Sequence, residues 1–113
     1  MSTANQEIST TILNQLTQSR NGSSRLGVMI GAHTFLYGVD DEGRVYVTFK
    51  WKMRGSKNKS NYCKIILEKT DTYLMEFYSI RGLKCTIKSE IGYVYCDQLK
   101  SVFEHETGFA LSL

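Results

Sequence analysis

Seven cations, Arg44, Lys50, Lys52, Arg54, Lys57, Lys59 and Lys64, stand between Arg44 and Leu67 with no acidic residue among them, and Tyr46 and Tyr62 are interleaved with them. Lysine and arginine neutralise phosphate and tyrosine rings stack on splayed bases. The mixture therefore matches the chemistry of a surface for single-stranded nucleic acid. The chain as a whole has a formal net charge of +3, so the remainder is net acidic, and this asymmetry points to an anionic partner. Two other readings stay open. Any solvated antiparallel strand face favours Tyr, Thr and Lys, and lysines blunt edge pairing. A basic face also suits an acidic protein surface, which would make the domain a protein-binding module.

Catalytic and metal chemistry find little support. His33 and His105 are far apart in sequence and belong to no motif. His105 lies between Glu104 and Glu106, where a solvated helix position is the simplest reading. Cys96 and His105 are nine positions apart, about 2.5 turns on one helix and so on opposite faces, which argues against a thiol–imidazole dyad. Gly27 and Gly31 bracket Val28-Met29-Ile30 without the Lys-Ser/Thr of a phosphate loop. No ligand cluster has metal spacing. We therefore expect no enzyme, no metal and no cofactor. The three cysteines Cys63, Cys85 and Cys96 are odd in number and share no C-x-x-C spacing, which argues against a disulfide framework and for a cytosolic protein. No apolar run approaches the roughly 18 residues of a membrane span, and the start of the chain lacks the basic and apolar regions of a secretory signal.

These residues need elements to hold them. From Arg44 to Arg54 the side chains alternate, Val45, Val47, Phe49, Trp51 and Met53 on one parity and Arg44, Tyr46, Thr48, Lys50, Lys52 and Arg54 on the other. Such alternation predicts a half-buried strand with Trp51 in the core. Before it, Ile8, Ile12, Leu13 and Leu16 predict a helix from about Asn5 to Gln18, with Thr3 and Gln6 at capping-box spacing and Asn21-Gly22-Ser23-Ser24 as its stop. Leu26 to Ile30 fits a strand or a short helical turn, and Phe35 to Val39 a strand. Asp40-Asp41-Glu42-Gly43 reads as a hairpin turn with Gly43 at positive φ. After the basic strand, 55–61 reads as a mobile polar loop. Strands follow over Tyr62–Lys69, Thr72–Ile80 and Leu83–Ile91, the last with Cys85 and Ile87 inward and Lys84, Thr86 and Lys88 outward. A helix from about Asp97 to Thr107 buries Leu99, Val102 and Phe103 and ends at Gly108, ahead of an apolar tail of Phe109, Leu111 and Leu113.

The chain of 113 residues, 42% hydrophobic and 22% charged, is thus expected to be one α+β domain over 1–113. We expect an N-terminal helix, a four- to five-stranded antiparallel sheet and a C-terminal helix, with both helices on one sheet face. On these parities the open face would carry Lys84 and Lys88 beside the basic strand, with Tyr78, Glu68, Glu76 and Glu90. A homodimer through an edge strand is compatible with this layout.

Several segments taken in order resemble a group of short, uncharacterised proteins of bacteriophages and prophages. They are Thr11-Ile12-Leu13-Asn14-Gln15-Leu16, Met29-Ile30-Gly31-Ala32-His33-Thr34-Phe35, Asp71-Thr72-Tyr73-Leu74-Met75-Glu76-Phe77, Tyr95-Cys96-Asp97-Gln98-Leu99 and Phe103-Glu104-His105-Glu106-Thr107-Gly108. The stretch Met53 to Ser60 departs most from the pattern. The resemblance carries no catalytic residues. It implies a small phage- or prophage-linked accessory protein of the bacterial cytoplasm that binds stoichiometrically, to nucleic acid or to an acidic surface of a host factor in defence or nucleic-acid processing.

Overall fold

Five antiparallel strands follow one another across the sheet in chain order: β1 (His33–Val39), β2 (Val45–Lys50), β3 (Tyr62–Leu67), β4 (Tyr73–Arg81) and β5 (Lys84–Val94). The structure, a computed structural model, describes residues 2–52 and 56–111, with side chains described from residue 6 onward. Helices α1 (Ser2–Thr17) and α2 (Gly22–Ile30) precede the sheet and α3 (Leu99–Thr107) follows it, which makes the fold α+β. Thr3 of the expected capping box lies outside the described side chains, as Met53, Arg54, Gly55 and Leu113 lie outside the described residues.

One hydrophobic cluster joins Ile12, Leu13 and Leu16 of α1, Leu26 of α2 and Leu99 and Phe103 of α3 to one face of the sheet. That face presents Val47 and Phe49, Cys63 and Ile65, and Tyr73, Met75 and Phe77, all on the parity the alternation predicts. Phe49 is the hub, 5.7 Å from Phe35, 5.6 Å from Trp51 and 5.9 Å from Phe103 between ring centroids. Trp51 is 2% exposed. Full burial of each such side chain contributes about 1.5–3 kcal/mol.

The region before the sheet differs from the single helix expected there. Segment 26–30 belongs to a second helix, and the Asn21–Ser24 stretch caps and opens that helix instead of leading into a strand. Its glycine serves close packing, not a left-handed cap. Gly22 is buried at the start of α2, where a Cβ would collide with the Leu13 carbonyl, and its N–H donates to Asn14 Oδ1 at 2.9 Å. The left-handed residue ending α1 is Gln18, at φ 55. Gly31, at φ 70, closes α2 by donating to the Gly27 carbonyl.

The last strand also departs from simple alternation. Phe77 pairs with Ser89 but Tyr78 pairs with Ile87, so Lys88 is an extra residue in β5. A bulge of this kind reverses the parity on one side of itself. Ser89 and Ile91 keep the helix side, opposite Phe77 and Met75, whereas Cys85 and Ile87 turn to the open face and are exposed. Thr86 and Lys84, opposite Ser79 and Arg81, turn to the helix side. The expectation that Cys85 and Ile87 face inward, with Lys84 and Lys88 on the open face, is therefore corrected by one inserted residue.

Candidate nucleic-acid interface

In an antiparallel meander the β2–β3 and β4–β5 connections fall at one end of the sheet and the β1–β2 and β3–β4 connections at the other. The first end carries Lys50, Lys52, Lys57, Lys59, Arg81, Lys84 and Lys88. The second carries Asp40, Asp41, Glu42, Glu68 and Asp71, with Arg44 and Lys69. The sheet is thus electrically polarised along its strands. Glu104 and Glu106 lie in the last turn of α3, next to the Thr107 carbonyl that accepts the Lys57 N–H, and Glu104 Oε2 accepts the Leu111 N–H at 2.7 Å.

Arg44 is separated from the other basic residues by this arrangement. Its guanidinium reaches Asp40 Oδ2 at 2.8 Å and Glu42 Oε2 at 3.0 Å, and it also bonds Glu68 on the neighbouring hairpin. Asp40 accepts the backbone N–H of Arg44 and of Glu42 as well, and the Arg44 N–H is the first cause holding its carboxyl below the usual range. Arg44 therefore clamps two hairpin tips and offers its charge to carboxylates, not to a phosphate.

The middle of the open face is occupied by its own side chains. Lys64 Nζ sits 4.5 Å over the Tyr46 ring, and Lys64 pairs across the ladder with Glu76. Gly38 is the reason Tyr46 can lie flat: a Cβ there would stand 2.6 Å from the Tyr46 hydroxyl. Tyr62 and Tyr78 meet edge to face at 5.7 Å, and the Tyr78 hydroxyl donates to Glu76 Oε1 at 2.7 Å. Burial first, then that bond, raises the Tyr78 phenol well above its ordinary value. Glu90, opposite Glu76 on β5, is raised above the usual carboxylate range chiefly by its hydrogen bond to Glu76. Lys50, opposite Tyr62, is the open-face cation at the last position of β2, on the basic end.

The 56–61 part of the connection after β2 is tied down where a mobile loop was expected. Trp51 N–H donates to the Asn61 carbonyl and Asn61 N–H to the Tyr78 carbonyl, extending the ladder past the strand ends. The Asn61 side chain mimics a strand residue, donating to the Ile80 carbonyl at 2.9 Å and accepting the Ile80 N–H at 2.8 Å. Asn58 Oδ1 gathers Ser56 Oγ and the Ser60 hydroxyl and N–H, and its Nδ2 donates to Ser89 Oγ at 3.0 Å. Ser56 and Ser60 are buried as a result. Lys59 is held in this turn at φ 60, a left-handed conformation unusual for a lysine, and remains exposed. Lys57 N–H donates to the Thr107 carbonyl and its side chain lies along Gly108, at the negative end of α3. Lys52 is exposed, and Arg54 falls outside the described residues.

Of the nine residues picked from the sequence, Lys50, Lys52, Lys57, Lys59 and Tyr62 thus come together at one end. Tyr46 and Lys64 sit mid-sheet and Arg44 at the far end. Arg81, Lys84 and Lys88 join the first group across the sheet. The signal for them was available: in a meander, the turns after the second and fourth strands share an end, and both are basic. His33 is exposed with Nδ1 2.8 Å from Thr34 Oγ1, His105 is exposed beside Glu106, and Cys85 and Cys96 are exposed while Cys63 is buried. Among the described residues no three His, Cys, Asp or Glu side chains group as metal ligands, and no helix is long and apolar enough to cross a membrane. Comparison with protein-family models, with curated proteins and with solved structures finds no match to the chain.

Proposed function

We propose that this is a non-catalytic binding protein that engages an anionic partner, nucleic acid, through the basic end of its sheet. The observation that carries the reading is the clustering of seven cations at one end of the sheet, from segments some thirty positions apart in the chain, while Asp40, Asp41, Glu42, Glu68 and Asp71 stand at the other. Clustered cations of this kind attract a polyanion and release its counterions. Tyr62, the half-buried Lys50 and the exposed Lys52 supply a place where a strand backbone would run. The phage- or prophage-linked setting implied by the ordered sequence segments belongs to the same proposal. In that setting the protein acts by occupying a surface in the cytoplasm of a bacterial host.

A second reading, a protein-binding module that blocks an acidic surface of a host factor, uses the same lysines together with the neighbouring β1, whose His33 pairs with Lys50. This edge strand has no Lys, Asp, Glu or Pro to guard it and exposes Leu36, Tyr37 and Val39. A bulge between His33 and Leu36 interrupts the start of this edge, and the regular stretch from Leu36 to Val39 can accept a strand from another chain.

Titration of labelled single-stranded DNA, duplex DNA and RNA, read by anisotropy at two salt concentrations, tests the first reading. Binding should weaken steeply with salt, and Lys50→Glu with Lys52→Glu should reduce the salt slope by about 2 because two phosphate contacts are removed. The fold should be retained, since both side chains lie off the core. Absence of binding at low salt would remove nucleic acid, and capture of a defined acidic partner by the wild type but not by the double variant would then favour the second reading.

A further inference from the structure

The geometry points to a binding site for a phosphomonoester in the concavity between the 56–60 turn and the β4–β5 hairpin, on the helix side of the sheet. The cavity has a volume of about 270 Å³ and is lined by Lys59, Ser79, Arg81, Lys84, Thr86 and Lys88. Three separate devices bring these residues together. Ser79 pairs with Thr86 and Arg81 with Lys84, so two successive rungs of the hairpin project from one face. The bulge adds Lys88 to the lining, where an unbroken alternation from Ser89 would have sent it to the open face. The third device is the Asn58-centred turn, which is bonded to Ser89 and holds Lys59 in its left-handed conformation over the same hollow.

The composition of the lining identifies the ligand class. None of its six side chains is acidic, and three of them are lysines, Lys59, Lys84 and Lys88. Like charges held at close quarters repel, and an anion in the hollow relieves that repulsion. A phosphomonoester carries about −1.5 to −2 charge at pH 7 and three free oxygens, whereas an internal phosphodiester carries a single charge and continues as chain on both sides. Lysines around one concavity, with Ser79 and Thr86 in its lining, suit the former. The site deepens the nucleic-acid reading and rests on it only for the source of the phosphate, which is either a strand terminus or a small free phosphate.

Two measurements test the site. In the first, isotope-labelled full-length protein is titrated with inorganic phosphate against chloride at matched ionic strength, following the Lys59, Ser79 and Thr86 amides by NMR. Saturable shifts with phosphate are expected, lost in Lys84→Glu with Lys88→Glu and weakened in the milder Lys88→Ala. Shifts no larger than those with chloride would overturn the site whatever the protein does with DNA. In the second, single-stranded oligonucleotides with a terminal 5′-phosphate or 5′-hydroxyl are compared by anisotropy. The phosphorylated strand should bind about tenfold tighter, the worth of one charge-assisted contact set, and that margin should vanish in the double variant. Equal affinities with the inorganic-phosphate shifts intact would assign the site to a small free phosphate. Phosphate shifts without binding of either strand would leave the site standing and remove the nucleic-acid reading.

Discussion

A residue's charge says little until its neighbours are known, and Arg44, Lys64 and Glu90 show this in three ways. Arg44 opens the basic stretch in sequence, yet the hairpin turns it back onto Asp40 and Glu42 and across to Glu68. Lys64 lies over the Tyr46 ring. The Arg44–Glu68 and Lys64–Tyr46 partnerships are not written in the local sequence, because Glu68 and Tyr46 reach their cations only through strand pairing. Glu90 is the counterpart among acids. The carboxyl of Glu76 beside it raises its proton affinity above that of an ordinary glutamate, whose value is 4.5. A carboxyl raised in the folded state holds its proton more tightly than in the unfolded chain. The associated stability is complete below the ordinary value and is lost as pH rises through the folded one. Glu90→Gln should therefore be more stable than wild type at neutral pH, and the difference should disappear on acidification. Urea denaturation of both proteins at a series of pH values from acid to neutral checks this. A difference that grows on acidification would contradict the coupling of Glu76 and Glu90.

At the scale of elements, period-2 and period-3.6 patterning recovers most of the fold, and it breaks down where one residue changes the count. Val47, Phe49, Cys63, Ile65, Met75 and Phe77 face the core as alternation requires, and Leu99, Val102 and Phe103 line α3. β5 carries the same alternating signal, but the extra residue Lys88 reverses the sides of Lys84 to Ile87, and nothing in the local composition announces a bulge. The 55–61 segment was legible as polar and basic; that Asn58 and Asn61 would use their amides in place of backbone was not. The α1–α2 junction was misread for a related reason. A glycine among polar residues signals a turn, whereas Gly22 is required because α2 starts against the Leu13 carbonyl. Its φ is not left-handed, so a Cβ is excluded by contact and not by backbone strain. Gly22→Ala should accordingly push α2 off α1 and destabilise the domain by about 1–3 kcal/mol, the usual cost of overpacking. Gly43→Ala has open space but φ 79, so its cost comes from backbone conformation and should leave the core unaltered. Chemical denaturation gives the magnitude, and methyl NMR shifts at Leu13 and Leu26 separate the two mechanisms: they move in the first variant and stay in the second.

Across the whole molecule the two ends of the sheet act as separate electrostatic bodies under cellular conditions. A six-residue strand such as β2 spans about 20 Å, and the Debye length is about 8 Å at physiological ionic strength but about 30 Å at 0.01 M. The carboxylates at the β1–β2 and β3–β4 tips therefore repel a polyanion bound at the other end only when salt is low. Reversing Asp41 and Glu42 to lysine, both exposed tip residues, should leave the affinity for a labelled oligonucleotide unchanged at physiological salt and raise it at 0.01 M. Lys50→Glu with Lys52→Glu should lose affinity under both conditions, because those charges would sit within contact distance of the phosphates. Anisotropy titrations of the two double variants at both ionic strengths give a two-by-two comparison in which general net-charge attraction and local contact predict different results. Both variants change the formal charge by four, in opposite senses. If net charge alone governed binding, the tip variant would bind more tightly and the strand variant more weakly by similar factors at every salt concentration. If the basic end is the interface, only the strand variant responds at physiological salt. A gain by the tip variant there would move the interface toward the Asp40–Gly43 hairpin and away from the lysine-rich end.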